Sequence, residues 1–177
     1  MVRRAQNYAT GYKKKVDVET DTYLPRSSPK GILSCHQCGA VYYRRRWTLT
    51  PTGDLQSRMS ARGGFRSVLC PACRKIGDRY PSGELRLLGV TTKENKAVLG
   101  LLKNEEERAR QKNPLERIMT IETDGEDWTV ETTTEKLAQR LGRSLEKAIG
   151  GKATYQWSHN NKFVRVFWIR EPSPKIH

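Results

Sequence analysis

Two Cys-x-x-Cys pairs, Cys35/Cys38 and Cys70/Cys73, are separated by 31 residues and account for every cysteine in the chain. Four thiolates delivered as two short hooks can close a tetrahedron around one metal ion, so the fold must bring positions 35 and 70 together. The flanking residues agree with that constraint. Gly39 follows Cys38 and can take the positive φ that turns backbone N–H groups toward sulfur. Pro71 presets the turn between Cys70 and Cys73. Zn2+ is the expected cofactor, with Cys35, Cys38, Cys70 and Cys73 as its ligands. His36 is expected to be an exposed knuckle residue, because four thiols already complete the set. The competing chemistries fit less well: structural disulfides need an oxidising compartment, and a thioredoxin-type redox pair uses one Cys-x-x-Cys at a helix start in a βαβ context.

A metal clip suits this composition. Only 36% of the 177 residues are hydrophobic and the mean hydropathy is −0.76, which leaves a modest core for one medium domain or two small ones. A thiolate zinc site contributes on the order of 10 kcal/mol to folding. No apolar region follows Arg3 and Arg4, no stretch reaches the length of a membrane span, and Asp17, Glu19 and Asp21 argue against a mitochondrial presequence. A cytoplasmic location is expected.

The formal charge of +14 is unevenly distributed. Residues 1–89 carry 17 Lys/Arg against 6 Asp/Glu, a net +11, and residues 90–177 carry 16 against 13, a net +3. A zinc centre with four thiolates is formally −2, so the first half stays near about +9 when loaded. Such a surface attracts polyanions, of which nucleic acid is the commonest large one. No amphipathic helix carries the apolar wedge that membrane binding needs.

Along the chain, residues 1–34 read as a basic flexible arm, with Lys13, Lys14 and Lys15 as a charge run. Residues 35–90 read as a zinc-ribbon domain. Strand pieces flank Arg44, Arg45 and Arg46, a flexible basic loop runs from Pro51 to Gly64, and a strand follows at Leu85–Leu88. Residues 91–113 form a connecting helix capped by Thr92, with a stripe of Val98, Leu101 and Leu102 and an i,i+4 pair at Glu106/Arg110. Residues 114–171 read as a ββαββ domain. In its first hairpin Asp124-Gly125 is the turn, placing Ile121 opposite Trp128 and Met119 opposite Val130. Its helix starts at Thr133 or Thr134, carries Leu137, Leu141, Leu145, Ala148 and Ile149 on one stripe, and stops at Gly150-Gly151. Gly142 inside that helix implies close approach by a strand or ligand. A second hairpin turns at His159-Asn160-Asn161, and residues 172–177 form a tail. The expected fold class is α+β: a four-cysteine zinc ribbon of treble-clef-like form, then a small β-β-α-β-β domain with an antiparallel sheet and the helix on one face.

The candidate nucleic-acid contacts are the basic residues of these segments. They comprise Lys13, Lys14 and Lys15 in the arm, Arg44, Arg45 and Arg46 past the first hook, Arg62 and Arg66 in the loop region, and Arg74 and Lys75 after the second hook. Arginine grips phosphate bidentately and stacks on unpaired bases. Tyr42, Tyr43 and Trp47 interleave with the triplet and divide evenly between core and contact roles. On the later helix Lys136, Arg140, Arg143 and Lys147 are spaced 4, 3 and 4, on one side, a pattern that an ordinary solvated face shares. Gly150-Gly151-Lys152-Ala153 lacks both the first glycine and the hydroxyl of a phosphate loop, and no nucleophile has a base in sequence reach. A non-catalytic protein is expected.

The paired hooks, the stretch from Asn113 to Met119, and the Asp124-Gly125 hairpin leading into Thr132–Ala138 resemble a family of uncharacterised prokaryotic zinc-ribbon proteins. These are remotely similar to the archaeal and eukaryotic adaptor that escorts the large ribosomal subunit. The resemblance spans about residues 31–170. It implies RNA or ribosome contact, with the four cysteines as zinc ligands and no catalytic residue. The expectation is therefore a zinc-dependent RNA-binding protein that contacts ribosomal RNA or a ribosomal subunit. The alternatives are a DNA-binding or protein-binding zinc module of a regulatory complex, and a thiol-redox or nucleic-acid-processing enzyme.

Overall fold

Four short triplets around the cysteine hooks form a small sheet, with the β-branched and aromatic residues concentrated in the two that follow the first hook. The computed structural model describes residues 22–24, 29–51, 53–60, 64–158 and 163–170. Strands β1 (Leu33–Cys35), β2 (Val41–Tyr43), β3 (Arg46–Thr48) and β4 (Arg66–Val68) assemble in the order β3-β2-β1-β4, with β1 and β4 parallel. Between β3 and β4 lies helix α1 (Asp54–Ser60), in place of the expected flexible loop. The signal for it is short: Leu55 and Met59 are spaced i,i+4 and pack with Ile32, Val41 and Tyr43, and Asp54 pairs with Arg58 at 2.9 Å. Helix α2 (Pro71–Gly77) follows β4 and leads directly into the second sheet.

That second sheet corrects the expected architecture. Strand β5 (Gly83–Leu88), expected as part of the zinc module, is the central strand of a five-stranded sheet. The order is β6-β7-β5-β9-β8, with β6 (Ile118–Asp124), β7 (Asp127–Thr132), β8 (Lys152–Trp157) and β9 (Val164–Ile169). β5 pairs antiparallel with β7 but parallel with β9, so the sheet is mixed rather than antiparallel. The physical reason is burial. Leu85 and Leu87 are fully inaccessible, and they lie between the equally buried Val130 of β7 and Val166 and Trp168 of β9. Helices α3 (Asn95–Lys112) and α4 (Glu135–Ile149) pack on each other, and β5-α3-β6-β7-α4-β8 follows the split βαβ order, with β9 inserted between β5 and β8.

Several boundaries move for identifiable reasons. Thr91, not Thr92, organises the start of α3: its hydroxyl donates to Glu94 Oε2 at 2.8 Å and its carbonyl accepts from Glu94 N–H at 2.8 Å. Glu106 accepts from the Ile118 N–H at 3.0 Å, and the ion pair of this stretch is Glu105–Arg108 at 2.8 Å. In the β6–β7 hairpin Asp124 faces Asp127, so Ile121 lies opposite Val130 and Thr123 opposite Trp128. Gly125, at φ 60, takes the first central position of the turn, the place a single glycine suits in a type II′ turn. The slip of two residues keeps Ile121 on the inward face, but a register irregularity between Ile118 and Thr120 takes Met119 out of the pairing, and Ile118 packs against the core instead. Thr134 caps α4 by accepting from Leu137 N–H at 3.3 Å, and Ala148, expected on the apolar stripe, is exposed. The turn at His159-Asn160-Asn161, most of the expected arm and the tail after Arg170 lie outside the described residues.

The larger core forms where α3 and α4 cover one sheet face. Val98, Leu102, Leu137, Leu141 and Leu145 meet Leu85, Leu87, Val130, Val166 and Trp168 there. Gly142 is where α4 touches β9: a Cβ at that position would lie 2.6 Å from Val166 Cγ1. Gly142→Ala is therefore expected to destabilise by about 1–3 kcal/mol despite alanine's better helix propensity. Gly100→Ala in α3, where a Cβ meets nothing within 4 Å, should stabilise by about 0.5–1 kcal/mol. Urea unfolding of the two variants checks the opposite signs.

Candidate metal centre and the basic face beside it

The first hook is a tight reversal between β1 and β2. Cys35 N–H donates to the Ala40 carbonyl at 2.8 Å, Gly39 N–H donates to the Cys35 carbonyl at 2.9 Å, and Gly39 takes φ 74. The second hook opens α2 instead of lying in a free turn. Cys70 is its N-cap and Pro71 its first residue, where the missing proline N–H is harmless. The parallel pairing of β1 with β4 brings the hooks together, and the four sulfurs lie within 4.8 Å of one another. Cys38 Sγ and Cys70 Sγ are 3.7 Å apart. Cys35, Cys70 and Cys73 are buried, while Cys38 is half-buried. The four cysteines can hold one metal ion. His36 is exposed, with its ring 3.4 Å from the Ser67 hydroxyl.

Donors converge on these sulfurs. Cys70 N–H donates to Cys35 Sγ at 3.3 Å and Cys73 N–H to Cys70 Sγ at 3.4 Å. A third donor comes from the other sheet's side: Arg117 Nη1 reaches Cys73 Sγ at 3.3 Å. Buried Thr133 holds that segment in place, accepting from Arg117 N–H at 2.8 Å and donating to the Leu115 carbonyl at 2.6 Å. Leu115 packs against the cysteine cluster. Arg117 and Leu115 gave no signal in sequence, because nothing local links position 117 to position 73.

The candidate basic residues separate into distinct environments. Arg44, Arg45 and Arg46 are exposed at the β2–β3 hairpin. Tyr43 pairs with Arg46, so Arg44 and Arg45 are the two central turn residues, at φ 47 and 64. A turn with positive φ at both positions ordinarily takes Asn-Gly, and each non-glycine residue in this region costs about 1–2 kcal/mol. Arg66 and Arg74 are exposed. Lys75 is not a surface contact: it is 5% exposed, and its ammonium donates to Ser82 Oγ at 2.8 Å and the Thr133 carbonyl at 3.2 Å, fastening α2 to the second sheet. The stripe on α4 is divided. Lys136 and Arg140 each lie 3.7 Å from the buried carboxylate of Glu116, whereas Arg143 and Lys147 are exposed. Lys13, Lys14, Lys15 and Arg62 fall outside the described residues.

Tyr42 and Trp47 are cross-strand partners with ring centroids 5.4 Å apart. They face away from α1. On one side they border a cleft of about 470 Å³ that also involves Arg45, Arg46 and Lys112, and on the other a groove reaching Arg74. No described helix is long and apolar enough to cross a membrane. The chain matches no protein-family model, no curated protein and no solved structure.

The thiols differ in proton affinity. Burial pushes Cys35 up, but N–H donors from Cys70, Cys38 and Gln37 outweigh it and bring the thiol down to about 6. Burial drives Cys70 far up, although the Cys73 N–H opposes it, and lifts Cys73 to about 11. At neutral pH Cys35 is thus largely thiolate while Cys70 and Cys73 hold protons, which a metal must displace. Loading is expected to release at least about two protons, so apparent affinity falls roughly 100-fold per unit as pH drops from 8 toward 6, and more steeply below that as Cys35 protonates. Calorimetric titration in buffers of different ionisation enthalpy measures the number released.

Proposed function

We propose that the protein is a zinc-dependent, non-catalytic RNA-binding protein that contacts ribosomal RNA or a ribosomal subunit. Thiolates favour soft or borderline cations, and a tetrahedral Zn–S bond of about 2.3 Å puts neighbouring sulfurs about 3.8 Å apart. The 3.7 Å between Cys38 and Cys70 fits that ion. A knuckle hairpin facing a helix N-terminus is the ligand arrangement of a treble-clef-like zinc module, consistent with a structural rather than catalytic metal.

The observation that carries the RNA reading is the β2–β3 hairpin, where three exposed arginines stand beside the Tyr42–Trp47 pair, with Trp47 packed on the cysteine cluster. The metal module holds the strands, the strands present cations, and half-buried Trp47, backed by buried Tyr42, supplies a face for bases. The open face of the five-stranded sheet is a poorer nucleic-acid surface. RNA-binding sheets of split βαβ topology place aromatics on their central strands. Here Glu84, Glu131 and Asp127 occupy β5 and β7, and Arg86 and Arg165 pair with Glu84 at 2.8 and 3.5 Å. Those carboxylates leave the arginines of that face paired rather than free for phosphate.

Affinity for RNA should fall steeply with salt through counterion release. Replacing Arg44, Arg45 and Arg46 together by alanine should reduce the slope of log K against log salt by about 2–3. An unchanged slope removes the hairpin from the interface. Co-sedimentation of the zinc-loaded protein with purified ribosomal subunits across a salt series tests the partner. Salt-sensitive migration with one subunit is expected. A protein that stays at the top of every gradient at low salt overturns the ribosomal assignment, and a preference for duplex DNA or a partner retained at high salt points to a regulatory complex.

A further inference from the structure

The cleft beside the hairpin is more specific than a basic patch. It lies between the β2–β3 hairpin and the end of α3 and measures about 470 Å³, within the roughly 300–1,000 Å³ range of sites that enclose small ligands. Its walls include the cations of Arg45, Arg46 and Lys112, the rings of Tyr42 and Trp47, and the side chain of Leu115, and no carboxylate is among the described residues lining it. Lys112 and Leu115 belong to the segment that α3 delivers from the second sheet, so the pocket exists only because the two halves pack together.

We propose that this cleft takes a single unpaired nucleotide of the bound RNA, its base against Trp47 and Leu115 and its phosphates on Arg45, Arg46 and Lys112. The proposal rests on the RNA-binding reading above and narrows it to RNA with a bulged or looped-out nucleotide. Three observations point to such a ligand. Trp47 is half-buried and braced from one side by Tyr42, which leaves a rigid partial ring surface; stacking of this kind tolerates any base. Arg45 is held at φ 64, which a glycine would accept without strain, so the side chain at this position is retained against its backbone preference. Lys112 closes α3, where its ammonium offsets the partial negative charge of the helix's terminal carbonyls, and Arg45 and Arg46 face it from the hairpin. Asn113 offers little competition for the base, because its Oδ1 already accepts from Leu115 N–H at 3.1 Å. A plain duplex cannot place a base in the cleft, since its bases are stacked and paired.

The test compares binding of the zinc-loaded full chain to two labelled RNA hairpins of equal length, one fully paired in its stem and capped by a tight tetraloop, the other carrying one bulged nucleotide, by anisotropy at fixed salt. Wild type is expected to prefer the bulged RNA by about 10-fold, within the range of one base–aromatic stack. Trp47→Leu should abolish the preference between the two RNAs. Because Trp47 also packs on the cysteine cluster, Lys112→Glu serves as a second variant. It lies on an exposed helix end and should weaken bulged-RNA binding more than paired-RNA binding. Equal affinity of wild type for both RNAs, or an undiminished preference in Lys112→Glu, overturns the cleft assignment while the RNA reading stands. Binding to neither RNA sinks that reading as well, and quenching of tryptophan fluorescence by poly-glutamate without RNA binding assigns the cleft to an acidic protein segment.

Discussion

The junction between the two sheets depends on the cysteine cluster. The buried core of the first module is split into two small clusters, Cys35, Ala40, Cys70, Ala72 and Cys73 in one and Ile32, Val41 and Leu55 in the other, little apolar burial for four three-residue strands. Sulfur chemistry must supply what hydrophobic area does not. The same cluster reaches across the junction, through Arg117 to Cys73 and Leu115 to the cluster wall. Lys75 makes the reverse connection, leaving α2 to donate to Ser82 and Thr133. Thr133 therefore contributes to both links, fixing the segment that carries Arg117 and accepting from Lys75 through its carbonyl.

Local chemistry was legible in the sequence and long-range pairing was not. The hooks, α4 with its Thr134 cap and Gly150 stop, and the alternation of β7 are local patterns, and they read correctly. The tight contact at Gly142 could be anticipated too, because a glycine inside a strongly patterned helix needs a reason. β5 could be recognised as a strand, but its sheet could not. Its neighbours are Asp127–Thr132 and Val164–Ile169, far along the chain, and nothing within Gly83–Leu88 encodes that choice. Helix α1 is hard to anticipate because a single i,i+4 pair, Leu55 and Met59, is a weak signal amid polar residues. Lys75 shows the converse failure. A lysine in a basic cluster reads as surface, and only the meeting of α2 with Thr133 buries it.

Basic residues that look equivalent in sequence divide according to their neighbours. Lys136 and Arg140 answer the buried Glu116, Arg86 and Arg165 answer Glu84, and Arg170 answers Glu94 at 2.6 Å. These pairs offset charge inside the second domain, in line with its small net charge. The hairpin arginines are placed differently. Arg44 and Arg45 stand on turn residues whose backbone favours glycine, Arg44 sits 5.3 Å over Tyr43, and Arg46 opens β3 beside them.

Charge sign and sheet topology together orient the molecule. The open face of the five-stranded sheet carries carboxylates on β5 and β7, with Arg86 and Arg165 paired to Glu84, and the hairpin beside the cysteine cluster carries arginines without neighbouring acids among its described residues. A polyanion is drawn more strongly to the hairpin side before any contact forms, because unpaired charges act over about a Debye length of 10 Å. The rigid connections through Arg117, Thr133 and Lys75 then matter for more than stability. They hold Lys112 and Leu115, from one domain, at a set position against Arg45, Arg46 and Trp47 from the other. A cleft built from both halves keeps its shape only while that junction holds, and the junction is closed at its centre by the four thiols.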